Sequence, residues 1–243
     1  MHHFFLSPAA IKGDQIIFPA EVGHQIRRVL RLQENDLVMV LDNTGMQYTV
    51  QLNQGDVVTG SIVSKQSSIT EPSTRVWLYL SLSQREKFEW VLQKGTELGA
   101  AGFIPVISSR SLMQDVSAVE KKRERWESIL KEAAEQSGRG KIPVLAAVMR
   151  YPQAMKHCLN QCDLRLIPAV TEGEQNLKAS IENLQAASIG VFIGPEGGFS
   201  PQEVQTACEI GFVPVTLGRR VLRMETAALA ALTMILYSRG DLD

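Results

Sequence analysis

The sequence predicts an α/β protein in two parts: a small N-terminal β-barrel over residues 1–70, and a domain over residues 74–243 in which strands alternate with helices around a mainly parallel sheet. Three observations predict it. Short strand-like segments follow one another closely in the first part, with turn-rich separators between them. The polar stretch Ser67-Ser68-Ile69-Thr70-Glu71-Pro72-Ser73 then reads as a linker. Beyond it, near-continuous apolar runs alternate with amphipathic stretches, as in parallel sheets covered by helices.

In the first part, strands are expected at Ile16–Phe18, Leu37–Leu41, Met46–Leu52 and Val57–Val63. Asp42-Asn43-Thr44-Gly45 and Asn53-Gln54-Gly55-Asp56 supply the turns, and close antiparallel spacing points to a small barrel. One helix interrupts them, Ala20–Leu32. At about 100° per residue Val22, Ile26, Val29 and Leu30 share a face. His24, Arg27, Arg28 and Arg31 share the opposite one. A solvated polar face would carry acids as well; this one is cationic throughout, which suits RNA phosphate.

In the second part the expected elements are strand Val76–Leu82, helix Arg85–Leu98 with Gly99 or Gly102 at its end, strand Phe103–Ile107, and a long helix Val119–Gln136 striped with Trp126, Ile129, Leu130 and Ala133. Strands Leu164–Val170, Ile189–Ile193 and Val213–Leu217 follow, then a helix Thr226–Ser238 that is apolar nearly all round. Such a helix is buried in its own chain or against another.

The chemistry concentrates at two strand exits near the C-terminus. The first is Gly194-Pro195-Glu196-Gly197-Gly198, after which Ser200, Pro201 and Glu203 spell a helix N-cap, a first-position proline and a capping box, with Gly211 placed to end the helix. The second is Gly218-Arg219-Arg220-Val221-Leu222-Arg223-Met224-Glu225-Thr226. Glycines permit close backbone approach, and ligands of open α/β sheets sit at the carboxyl ends of strands, so the two loops are expected to share one pocket. On local chemistry alone, the first loop also reads as an ordinary tight turn.

Composition narrows the rest. Hydrophobic residues make up 44% and charged residues 21%, as in globular proteins. A net charge of −1 excludes indiscriminate coating of nucleic acid and requires any such partner to meet a local basic patch. No apolar run reaches the roughly 20 residues that span a bilayer, so no membrane is expected. Met1-His2-His3-Phe4-Phe5 lacks the features of a signal peptide. Three cysteines, Cys158, Cys162 and Cys208, are too few for a disulfide framework, which implies a reducing, cytoplasmic setting. His157-Cys158 with Cys162 lacks a fourth ligand, so the thiols read as small hydrophobes and no metal is expected. Dinucleotide, phosphate-loop and nucleophile-elbow motifs are absent.

Ile193-Gly194-Pro195-Glu196-Gly197-Gly198-Phe199 followed by Leu217-Gly218-x-Arg220-Val221-Leu222-Arg223-x-Glu225-Thr226-Ala227 resembles the knotted methyltransferases of the SPOUT superfamily. Within it the match is to the family that methylates N3 of uridine 1498 in the 16S RNA of the small ribosomal subunit. Arg28-Val29-Leu30-Arg31, Lys94-Gly95-Thr96-Glu97-Leu98-Gly99 and Glu132-Ala133-Ala134-Glu135-Gln136-Ser137-Gly138-Arg139 extend the resemblance over the whole chain. Arg219 stands where many members carry proline, and Met224 where threonine is frequent.

The resemblance implies a PUA-like barrel, an α/β domain with a trefoil knot, a homodimer, 16S ribosomal RNA as partner and S-adenosyl-L-methionine as methyl donor. Ile193, Gly194, Pro195, Glu196, Gly197, Leu217, Gly218, Arg220, Val221, Leu222, Met224 and Thr226 are the implied donor-binding residues. Arg223 is assigned to stabilise charge on a uracil carbonyl, and Glu225 to accept the N3 proton or, preferably, to hold Arg223. His24, Arg27, Arg28, Arg31 and Arg139 are the RNA contacts, with Arg110 and Lys141 extending the track. The competing expectations are a related enzyme on another RNA, a non-catalytic RNA-binding assembly factor, or a nucleotide-dependent oxidoreductase, the last disfavoured by the missing glycine fingerprint.

Overall fold

The computed structural model describes residues 1–169, 175–181 and 186–242. The chain divides into two compact units, one of Met1–Glu71 with Lys131–Ile142, the other of Pro72–Leu130 with Pro143–Asp243.

The first unit is a curled six-stranded sheet of β1 (His2–Phe5), β2 (Ile11–Lys12), β3 (Gln15–Ile17), β4 (Leu37–Leu41), β5 (Met46–Leu52) and β6 (Thr59–Ser67), in the order β1-β4-β5-β6-β3-β2. Only β1 and β4 pair in parallel; the other pairs are antiparallel. Strand β4 reads as a continuous apolar run because both its faces are covered. Val38 and Val40 join Phe4, Ile16, Phe18, Ile26 and Val50. Met39 and Leu41 pack with Phe5 and Ala134.

The expected helix Ala20–Leu32 is corrected. The α-helical part, α1, is Ala20–His24, and Gln25–Val29 forms a π turn. There Leu30 N donates to Gln25 O at 2.9 Å, an i to i−5 bond that admits one extra residue. The apolar stripe therefore slips: Ile26 stays buried, but Val29 is 65% exposed. Arg31 leaves the helix altogether, at φ +55 in the left-handed region.

The second unit holds an all-parallel sheet, among the described residues, ordered β10-β8-β7-β13-β11-β14-β12, with β9 beside β8. Its strands are β7 (Arg75–Ser81), β8 (Gly102–Ile107), β9 (Val144–Leu145), β10 (Met149–Arg150), β11 (Leu164–Pro168), β12 (Gln175–Asn176), β13 (Ser188–Ile193) and β14 (Val213–Thr216). Helices α2 (Arg85–Glu97), α3 (Val116–Glu120), α4 (Arg123–Ser137), α5 (Tyr151–Gln161), α6 (Leu177–Ile181), α7 (Pro201–Glu209) and α8 (Met224–Ser238) connect them; α4 is shared between the units.

Central strands buried on both faces are near-continuous apolar runs for the reason the sequence suggests. One face meets α2 and α8, the other α5 and α7 around Tyr79, Phe192, Tyr151 and Phe212. Gly190 on β13 is obligatory: a Cβ there would lie 2.4 Å from Cys158 Sγ and 3.1 Å from Cys162 Sγ. Both thiols are buried in that hollow as small core groups.

The long helix expected over Val119–Gln136 is two helices. Asp115 caps α3 through Oδ1 to Ser117 N at 2.9 Å, and Lys122 N bonds Val119 O, i to i−3, tightening the turn that ends it. The strand expected to Val170 ends at Pro168; Val170 lies outside the described residues. Strand β1 and helix α5 were not expected.

Candidate active site

Strand β13 ends at Ile193 and hands the chain to the first glycine loop. Gly194 is packed against its own loop: a Cβ would lie 3.0 Å from Phe199 N and 3.1 Å from Gly198 C. Gly198, at φ +65, closes the turn by donating its N–H to Pro195 O at 2.8 Å. The helix then starts as the sequence spells it. Ser200 Oγ accepts from Glu203 N at 3.2 Å, and Glu203 Oε2 accepts from Ser200 N at 2.8 Å.

This loop is braced from outside. Glu203 also accepts from Ser109 N and Ser109 Oγ, both at 2.8 Å, while Arg110 donates to Gly197 O at 2.7 Å. Glu196 accepts from Lys87 Nζ at 3.2 Å and from Gln84 N at 3.4 Å. Burial raises the pKa of both carboxyls, but hydrogen bonds outweigh it. Backbone N–H groups and Lys87 leave Glu196 below its ordinary value, and Ser109 and Ser200 do the same for Glu203.

Strand β14 ends at Thr216, whose Oγ1 accepts from Gly218 N and donates to Gly218 O, both at 3.2 Å. Gly218 turns the chain at φ +111. The segment then reaches α8, whose N-cap is Arg223 with no side-chain capping bond.

The two loops enclose one cavity of about 910 Å³. Ile193, Gly194, Pro195 and Glu196 line one side. Leu217, Gly218, Arg220, Val221, Leu222, Arg223 and Met224 line the other. Pro168 and Ala169 at the end of β11, Gln84 and Lys87 at the start of α2, and Gly198, Phe199, Pro201, Val204, Val215, Thr216 and Ala227 complete it. Apolar walls with a few polar groups at strand ends suit a nucleoside-sized ligand.

A family described as an RNA methyltransferase domain matches residues 70–236. The chain is similar to ribosomal RNA small subunit methyltransferase E of Bacillus subtilis (strain 168), 34% identical with 91% of each chain covered. It is also similar to the protein of the same name from Synechocystis, 36% identical over 87% of this chain and 69% of that one. The chain belongs to the ribosomal RNA small subunit methyltransferase E family. Among solved structures, that of the Neisseria gonorrhoeae protein of this name, bound to S-adenosyl methionine, superposes with a TM-score of 0.86 at 29% identity, covering 98% of this chain and 97% of that one.

In this member of the methyltransferase E family, Gly197, Glu225 and Thr226 of the expected site residues do not line the cavity. Gly197 instead offers its carbonyl to Arg110. Glu225 forms no hydrogen bond or ion pair with Arg223 among the described residues, which corrects the expectation that it holds that side chain; its Oε2 is buried without a partner.

Of the basic residues expected to meet RNA, His24, Arg28 and Arg31 are exposed. Arg27 is exposed but bound: it donates to Asp56 O at 2.8 Å and to Gly55 O. Arg139 is a correction. It is 4% exposed and pairs with Glu71 at 2.6 Å, so it holds the first unit together and presents no charge to solvent. Arg110 likewise serves the glycine loop.

Sequence reasoning missed Gln84, Lys87, Pro168 and Ala169. The strand-end rule, applied to β7 and β11 as it was to β13 and β14, would have found them.

Proposed function

We propose that this protein transfers a methyl group from S-adenosylmethionine to N3 of a uridine, the one at position 1498, in the 16S RNA of the small ribosomal subunit. The observation that carries the reading is the single cavity shared by the two glycine-bearing loops, in a chain of the methyltransferase E family.

The cavity fits the donor. Its backbone passes close at Gly194, where no side chain has room, and Ile193, Leu217, Leu222 and Met224 give apolar walls for the adenine base and the methylene chain of the donor. Glu196, kept ionised by Lys87 and backbone donors, accepts from a ribose hydroxyl. When bound, the donor supplies an electrophilic methyl on a sulfonium, so the chain's own task is alignment and proton removal. Arg223 stabilises negative charge developing on a uracil carbonyl. Glu225, whose buried Oε2 has no partner among the described residues but which does not line the cavity, accepts the N3 proton through water. Uracil N3 is engaged in pairing within a duplex, so the base enters unpaired or extruded.

Residues 1–70 are read as a PUA-like barrel that binds RNA through His24, Arg28 and Arg31, and residues 74–243 as a SPOUT domain with a trefoil knot. The outer face of α8, with Met234 38% and Tyr237 69% exposed on a helix otherwise apolar, is read as the seat of a homodimer acting in the cytoplasm.

Mass-spectrometric mapping of methylated nucleotides in ribosomal RNA from cells with and without the protein tests the reading: loss of one N3-methyluridine is expected, and an unchanged map rejects it. Glu225→Gln should abolish single-turnover methylation with donor affinity intact; a full rate removes the base role.

A further inference from the structure

Among the described residues lining the cavity, the charged groups are Lys87, Arg220, Arg223 and Glu196, three cations against one carboxylate. Lys87 and Glu196 neutralise one another at 3.2 Å, which leaves two unmatched guanidiniums. The methyl donor does not supply the missing charge. Its sulfonium and ammonium outweigh its one carboxylate, and one carboxylate satisfies at most one arginine in bidentate fashion. A second occupant that brings negative charge to the cavity would match both.

A third arginine extends the pattern outward. Arg219 is exposed, neighbours Gly218 at φ +111, and does not line the cavity, so its charge is offered outside the cavity. Among the described residues, Arg219, Arg220 and Arg223 form no ion pair. The arginines of the helices in the same unit do: Arg85 and Arg125 with Glu89, and Arg123 with Glu120 and Glu127. Between the loop's arginines, Val221 is 92% exposed, an apolar surface at the same rim. Three unmatched cations within five residues concentrate positive potential at the rim, which a polyanion spanning them would neutralise.

We propose that the exposed turn Arg219-Arg220-Val221 is a phosphate-binding rim on which the RNA strand rests as its target base enters the cavity, with Arg219 and Arg220 contacting successive backbone phosphates. The inference rests on the methyltransferase reading above and adds where the substrate strand runs. It also moves Arg220 from the donor to the RNA. An extended single strand provides what the geometry asks for: negative charges at regular spacing that continue past the cavity mouth, together with ribose and base surface to cover Val221.

The test uses full-length protein, a fluorescein-labelled transcript of small-subunit ribosomal RNA, and S-adenosylmethionine calorimetry. Arg219→Ala should weaken RNA binding roughly five-fold at about 0.1 M salt and reduce the slope of log affinity against log salt by about 0.7, the value of one lost phosphate contact on a single strand. Arg219→Glu should weaken it further, and Arg219→Lys should retain the slope. Donor affinity, and kcat at saturating RNA, should not move. Unchanged RNA affinity and slope in both Arg219→Ala and Arg219→Glu would overturn the proposal. So would a loss of donor affinity, or a change of oligomeric mass with RNA binding intact, which would give the loop to the donor or to a second copy of the chain. Wild-type protein that binds no S-adenosylmethionine is a different failure: it removes the methyltransferase reading and the rim with it.

Discussion

The two walls of the cavity are built in opposite ways. The first glycine loop is held at every turn. Gly198 closes on Pro195, Ser200 and Glu203 cap each other, Arg110 holds Gly197, Ser109 reaches Glu203, and Lys87 and Gln84 hold Glu196. The second loop has Thr216 bonded to Gly218 and then runs, exposed and without ion pairs among the described residues, to a helix that no side chain caps. A wall whose hydrogen bonds are satisfied within the protein is preorganised for a small ligand of fixed shape. A wall of unmatched cations is completed only by what arrives. On the function proposed above, the first wall supplies the donor's polar contacts and the second wall's arginines meet the RNA, while Leu217, Leu222 and Met224 give the donor only apolar surface.

Substitutions can break that division. The largest effect is expected on the second wall: Arg223→Ala should lower kcat by about 100-fold or more, the scale of one lost oxyanion donor, with donor affinity in calorimetry nearly unchanged. A full-rate variant, or one that loses the donor, would merge the two walls. On the first wall, Gly194→Ala places a Cβ 3.0 Å from Phe199 N and 3.1 Å from Gly198 C, backbone atoms that cannot swing away. It should weaken donor binding by roughly ten-fold, about 1.4 kcal/mol, and leave RNA affinity as it was. Glu203→Ala removes a helix cap and the tie to Ser109 together; a loss of about 1–2 kcal/mol of stability is expected in denaturant titration.

The smallest effect is on pH dependence. Glu203 and Glu196 are both held below the ordinary glutamate value near 4.3. The stabilisation they confer is therefore complete above that pH and is lost as pH falls through their lower folded values. Donor affinity should decline in that acid window, and less in Glu203→Gln. A decline of equal size in RNA affinity measured without donor would contradict the division.

What could be read beforehand follows the range of the interactions involved. The Ser200–Glu203 box spans three residues and stands as read; strand Met46–Leu52 is bounded by its own turns and has the expected ends. The shared cavity was legible because a general rule places ligands at strand ends. The bonds from Ser109 to Glu203 and from Arg110 to Gly197 join residues 94 and 87 positions apart, and nothing local signals them. Arg139 looked like a free cation because its partner Glu71 sits 68 positions away, inside what reads as a linker. The π turn at Gln25–Val29 defeated the helical period itself: one extra residue moved Val29 outward and ended the regular helix before Arg31.

The hollow over Gly190 gives the protein a reporter of its own opening. Cys158 and Cys162 fill that space against the central strand, while Cys208 on α7 is partly accessible. An alkylating reagent should modify Cys208 promptly and the other two only in molecules whose sheet has parted from α5. The slow phase of a simple thiol-labelling time course, followed by intact mass, then times that parting without any engineered probe.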